Sequence, residues 1–299
     1  MDKLYLILFY IFKFIITITP NSVHNAIVKF LVFVYMRLNK KRFKVVMTNL
    51  NLAFGDEISM QKKLEIAKKC YINFAKFLGI NFIKNQNTTR DRVLNRVKFN
   101  GLDYVNQAIK EGRAIIMQGA HCGEWELIAL ALGAKFGKCS VVGRTLDSKI
   151  MQKILEKNRS QFDMQIIDKM GGMKQILKAL KDGRILGILV DQNTKKSEGV
   201  EVNFFGKRVL HTPAASIVAQ KMDALIIPTF IKSIDDENRE ICILEPIDPR
   251  NFATLKKNEA ILKMTQAQAD ITEAFVRQNV DEYFWFHKRF KHFYEESYE

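Results

Sequence analysis

His121 and Glu126 stand in the run GAHCGEWE at residues 119–126, and no other stretch of the chain is so suited to acid–base chemistry. A neutral imidazole can take a hydroxyl proton as the oxygen attacks a thioester carbonyl. A carboxylate behind the ring fixes its tautomer and steadies the imidazolium that forms. His121 follows the apolar run AIIMQ at 114–118 and enters a helical stretch through a glycine-flanked turn, where open α/β sheets gather their active sites. Gly119 and Gly123 would let a substrate approach the backbone, and N–H groups at the helix start would face a developing oxyanion. The chain has no G-x-S-x-G nucleophile elbow, which favours direct attack by the acceptor over an acyl-enzyme. Two other uses of these residues stay open. Cys122 is a candidate nucleophile, and His121, Cys122, Glu124 and Glu126 are a candidate metal set, although no H-E-x-x-H spacing accompanies them.

Such a pair needs a scaffold. Short apolar runs at 97–99, 114–118, 140–143, 164–168 and 185–190 alternate with helical patterns at 101–111, 124–134, 148–161 and from Gly171-Gly172 to Gly183. The alternation predicts an α/β fold: a mixed, largely parallel sheet flanked by helices, with membrane-associated helices at the amino end. Thr212-Pro213 opens a further helix. The runs at 225–231 and 239–247 read as a strand pair around the polar turn 235–238. The last 45 residues read as mostly helical, with YFWFHKRFKHFY at 283–294 as an amphipathic helix.

Charge and hydropathy add a partner class. Lys and Arg total 47 against 32 acids, a net of +15. Such a field favours nucleic acid, an anionic membrane face, phosphorylated lipids or an acidic protein. Fifteen Gly and five Pro argue against repeats or a Pro-rich linker. Four scattered cysteines without C-x-x-C spacing suit reduced thiols. The apolar stretch at 4–18, at about 1.5 Å per residue, falls short of the roughly 30 Å hydrocarbon core. A second apolar segment at 26–36 runs into Arg37, Lys40, Lys41, Arg42 and Lys44, and no acidic residue lies between Asp2 and Asp56. Residues 1–45 are therefore expected to form a membrane-associated segment on an anionic cytoplasmic leaflet, ahead of a single domain at 46–299.

GAHCGEWE resembles the H-x-G-N-W-E signature of the bacterial lipid A late acyltransferases, the lauroyl and myristoyl transferases. Further matches follow in the family's order. They are Asn158-Arg159, Asp191-Gln192 at the end of the stretch 170–193, VNFFGKRVLHTPA at 202–214 and WFHKRFK at 285–291. Upstream, Arg42 and NLNLAFGDEIS at 49–59 complete a likeness that spans nearly the whole chain. The resemblance implies His121 as general base with Glu126 as its partner, and substrate contacts from Arg159, Asp191, Gln192, Arg144 and Gly206. For Asp191 the sequence leaves two roles, pairing with Arg159 or orienting the acceptor. Acyl carrier protein is the implied donor and a lipid A precursor the acceptor, in lipopolysaccharide biosynthesis at the cytoplasmic face of the inner membrane. No metal, cofactor or nucleic acid is implied. Glu124 departs from the family's Asn and is expected to point away from His121. Two competitors remain: a glycerol-phosphate or lysophospholipid acyltransferase, which would carry Asp and an F-P-E-G-T block, and a membrane-tethered nucleic-acid-binding protein.

Overall fold

Strand β2 (Ile115–Gly119) is buried along its whole length because it has a neighbour on each side and helices on each face. In the computed structural model, which describes residues 2–299 and leaves Met1 of the expected amino-terminal segment outside them, it lies in the middle of a seven-stranded sheet. The order is β1 (Val97–Asn100), β9 (Arg239–Ile243), β8 (Leu225–Ser233), β2, β5 (Ile185–Leu189), β3 (Cys139–Gly143) and β4 (Met164–Asp168). From β8 to β4 every pairing is parallel; β9 runs antiparallel to β8 and carries β1 alongside it. The expected α/β architecture is therefore the one observed.

Alternate residues of β2 serve two cores. Met117 faces a cluster with Val105, Leu127 and Leu130 from α7 (Leu102–Lys110) and α8 (Trp125–Phe136). Ile116 faces Ile176, Val218 and Met264 from α10 (Met173–Lys181), α11 (Ala214–Met222) and α12 (Lys257–Gln278). Between them α9 (Lys149–Arg159) leads from β3 to β4. Burial on both faces explains the unbroken apolar runs of these strands.

The amino-terminal third is helical: α1 (Asp2–Ile18), α2 (Asn21–Leu38), α3 (Lys40–Phe54), α4 (Met60–Ala75), a π-helical turn at Lys76–Asn81, α5 (Phe82–Lys84) and α6 (Arg90–Asn95). Pro20 separates α1 from α2. Among the described residues no helix is long and apolar enough to cross a membrane.

Two expectations need correction. The segment 283–294 is not a helix. It folds irregularly because Trp285, Phe286 and Phe290 must all enter one apolar cluster with Leu50, Phe54 and Phe74 of α3 and α4. Arg289, 2% exposed, is buried with them. A hairpin, β6 (Val200–Phe204) and β7 (Lys207–His211), had no place among the expected strands. Its turn holds Phe205 and Gly206 at φ +54 and +66. Left-handed backbone at both central positions matches the twist of the flanking strands, and Gly206 adopts it without strain.

Candidate active site

Parallel pairing brings the ends of β2 and β5 together. Gly119 lies opposite Leu189, and two residues further along each strand His121 meets Asp191. The carboxylate Oδ1 of Asp191 lies 2.8 Å from Nδ1 of His121 and accepts the His121 main-chain N–H at 3.0 Å. Burial alone would raise the Asp191 carboxyl, but the His121 charge, its two hydrogen bonds and the Arg289 guanidinium bring it down to about 2. An ionised carboxylate only accepts, so Nδ1 donates to it, and in the neutral ring Nε2 would be the atom that can take a proton. The ring is packed edge-on against Trp125, with centroids 5.0 Å apart, and tilted against Phe284. Its side chain remains 21% exposed.

Glu126 does something else. Its carboxylate receives Nε and Nη2 of Arg159 at 2.8 and 2.5 Å and the Trp125 indole N–H at 3.1 Å. The expected backing of the ring by Glu126 is thus replaced by Asp191, and the suggested Asp191–Arg159 pair by Glu126–Arg159. The reason is helical geometry. Glu126 lies in the first turn of α8 and turns toward the last turn of α9, whereas Asp191 leaves the strand next to β2. Gly143 leaves room for the guanidinium, since a Cβ there would stand 2.9 Å from Arg159 Nη1.

Glu124 points away from His121, as expected, and is 2% exposed. Arg239 Nε donates to it at 3.0 Å, and the side-chain amides of Asn81 and Asn85 donate at 2.7 and 2.9 Å. Cys122 is buried, and burial pushes its thiol well up, a poor setting for a nucleophile. Of the candidate metal set, His121, Glu124 and Glu126 thus turn to three different partners and Cys122 is buried. Among the described residues no group of three or more His, Cys, Asp and Glu is placed to hold an ion.

The glycines of the turn are needed for packing. A Cβ on Gly119 would stand 2.8 Å from the Leu189 side chain. Gly123, at φ +60, would strike the Ile231 carbonyl oxygen. The N–H groups of Cys122 and Gly123 already donate to Ala120 and Glu282.

Of the other expected residues, Gln192 is half-buried in a small hollow beside Asp191, with Tyr283 and His287. Arg144 lies apart on an exposed loop, paired with Asp147 at 3.2 Å, and shares with Arg159 a polar hollow of about 280 Å³. Gly206 belongs to the β6–β7 turn. The sequence reading missed Trp125, Phe284, Arg239 and the two asparagines. Under α8, bordered by Trp125 and the Glu126–Arg159 pair, lies a narrow apolar slot of about 70 Å³ lined by Ile128, Leu132, Val141 and Ile188.

These features belong to a class of group-transfer enzymes, and comparison with known proteins narrows the class to acyltransferases. Residues 2–292 match the family described as bacterial lipid A biosynthesis acyltransferase. The chain belongs to that family. It is 23% identical over 269 residues to a lipid A biosynthesis acyltransferase of Haemophilus influenzae, covering 87% of this chain and 80% of that protein. It is 21% identical to the lipid A biosynthesis lauroyltransferase of Escherichia coli K12, covering 86% of this chain and 81% of that protein. A phosphatidylinositol mannoside acyltransferase of Mycobacterium tuberculosis is 22% identical over 142 residues, 46% of this chain and 44% of that protein.

Proposed function

We propose that the protein moves a fatty acyl chain from the thioester of acyl carrier protein to a hydroxyl of a lipid A precursor. The single observation that carries this reading is the His121–Asp191 pair at the ends of two adjacent parallel strands, with the ring partly exposed. In the proposed step Nε2 takes the acceptor's hydroxyl proton, and the oxygen attacks the thioester carbonyl. Asp191 steadies the imidazolium meanwhile. The attack forms the C–O bond, and collapse of the tetrahedral intermediate restores the carbonyl and breaks the C–S bond. The departing thiolate then takes the proton back from the ring.

The apolar slot beneath α8 is the natural seat for the acyl chain. Its walls are the apolar side chains of Ile128, Leu132, Val141 and Ile188. The Glu126–Arg159 pair holds the wall of that slot and supports the partially negative carbonyl end. The outward faces of α1 and α2 carry Ile11, Phe14, Ile18, Phe30, Leu31 and Leu38, all exposed. Lys29, Arg37, Lys40, Lys41 and Lys44 lie close by. This pattern supports attachment to the anionic cytoplasmic leaflet of the inner membrane. An acidic carrier and a phosphorylated acceptor both suit the net charge of +15.

The test compares three variants with acyl carrier protein as donor and a lipid A precursor as acceptor. His121→Ala and Asp191→Asn should each lower kcat by roughly 10²–10⁴-fold, and Glu126→Gln by less. A larger loss from Glu126→Gln than from Asp191→Asn would overturn the proposed dyad. Acylation from acyl-coenzyme A but not from the carrier would overturn the donor. Mass spectrometry of lipid A from cells with and without the gene tests the acceptor, and an unchanged acylation pattern would overturn it.

A further inference from the structure

A cavity of about 540 Å³ opens between the start of α2, the π-helical turn after α4, the helix α6 and the β8–β9 turn. None of its lining residues is His121 or Asp191, and its chemistry is different. Lys76, Lys84, Arg92 and Arg96 face it, against Asp236 and Glu237 on the turn. Only part of that positive charge is matched. Lys76 pairs with Asp236 at 2.9 Å. Glu237 accepts from the Asn21 amide at 2.8 Å, and Arg96 reaches only its main-chain oxygen. Lys84 donates at 2.6 Å to a neutral acceptor, the Asn21 amide oxygen. Arg92 has no ionic partner among the described residues. Arg96 must share the Glu124 carboxylate, at 3.8 Å, with the closer Arg239. Burial first, and then Arg96 and Arg92 against the pull of Glu237, lower the basicity of Lys84, so the cations crowd one another. His24, 3% exposed, closes the wall and is pushed the same way by burial and by Lys84.

We infer that this cavity is a second binding site, for the phosphate ester of a polyol. An anion with two charges would relieve the repulsion among Lys84, Arg92 and Arg96, and the arginine forks suit phosphate oxygens. Asp236 and Glu237 would repel a bare anion but accept hydrogen bonds from the hydroxyls of a glycerol or sugar. The volume also exceeds the need of phosphate alone. Arg96 and Asn81 line the cavity and also hold Glu124, three residues beyond His121, so occupancy bears directly on the catalytic turn. Phosphate-ester chemistry follows from the cavity by itself. A lipid headgroup as its source rests on the proposed attachment of α1 and α2 to a bilayer.

The experiment uses the full chain in two arms. Titration calorimetry with inorganic phosphate and glycerol 3-phosphate reads the soluble source. Co-sedimentation with phosphatidylcholine vesicles, with and without phosphatidylglycerol, reads the headgroup. Lys84→Gln combined with Arg92→Gln should weaken binding about tenfold or more in whichever arm binds, since both lost contacts are charge-assisted. The charge-matched Lys221→Gln/Lys263→Gln protein should bind as the wild type does. Binding of glycerol 3-phosphate lost in the first variant assigns the site to soluble phosphate esters; a vesicle preference lost with no soluble binding assigns it to headgroups. Equal binding by both variants, or none by the wild type in either arm, overturns the inference. Should the double variant melt early, Arg92→Gln alone, at an exposed position, decides. Acyl transfer in detergent is measured separately, so failure here and failure of the acyltransferase reading are distinguishable.

Discussion

At the scale of single residues, burial decides which groups can change charge. His211 is 1% exposed, and burial first, then Arg289, lowers it to about 3; His287 falls to about 4, again chiefly by burial. A folded value below the unfolded one means that the unfolded chain binds protons first. The stability these rings support is therefore complete above about pH 6.5 and lost progressively as pH falls toward 4 and 3. For His211 the slope approaches about 1.4 kcal/mol per pH unit. Urea midpoints measured between pH 7 and 5 should fall, and His211→Gln should flatten that slope; an unchanged slope would contradict the assignment. Residue identities told less than their neighbours did. His121 was legible because its turn and apolar run lie beside it in the chain. Its carboxylate partner was not, because Asp191 reaches the ring through a strand pairing that no local spacing encodes.

At the scale of elements, the start of α8 is fastened by a charge rather than by a cap. Glu124 occupies the N-cap position, yet its side chain turns to Arg239 of β9 and to Asn81 and Asn85, four residues apart across the end of the π-helical turn. One carboxylate therefore ties α8, the β8–β9 pair and the amino-terminal helices together. Glu124→Gln leaves the buried Arg239 without its counter-ion and should cost roughly 3–5 kcal/mol, read by chemical denaturation. Adding Arg239→Met should recover part of the loss, which a merely local effect at residue 124 would not allow. The strands and most helices of the sheet were visible in the sequence, since two-sided burial writes them as short apolar runs between glycines. The hairpin β6–β7 and the π-helical turn were not. The first does alternate, with Glu201 and Asn203 outward and Val202 and Phe204 inward, but it is only five residues long and reads with the block 202–214 as a motif rather than as a strand; the second differs from an α-helix only in where its hydrogen bonds close.

For the whole molecule, the faces of α1 and α2 are apolar with cations close by, while the His121 turn lies at the ends of the central strands. If α1 and α2 rest in a bilayer surface, Phe14→Asp with Phe30→Asp should weaken sedimentation with anionic vesicles at least about tenfold. Each ring contributes about 1.5–3 kcal/mol when buried. Transfer to a short, water-soluble acceptor should hardly change. The carboxy-terminal run misled as a helix because its aromatic spacing serves an irregular chain threaded through a core, a pattern without period. The central strand carries a last consequence. β2 finds β5 only 70 residues later, from Gly119 to Leu189, and β8 only 110 later, from Ile115 to Leu225. A ribosome therefore releases a bare, greasy ribbon well before either flanking strand exists. Nascent chains halted ahead of β5 should clump or cling to chaperones, and slower elongation beyond β2 should lower the soluble yield.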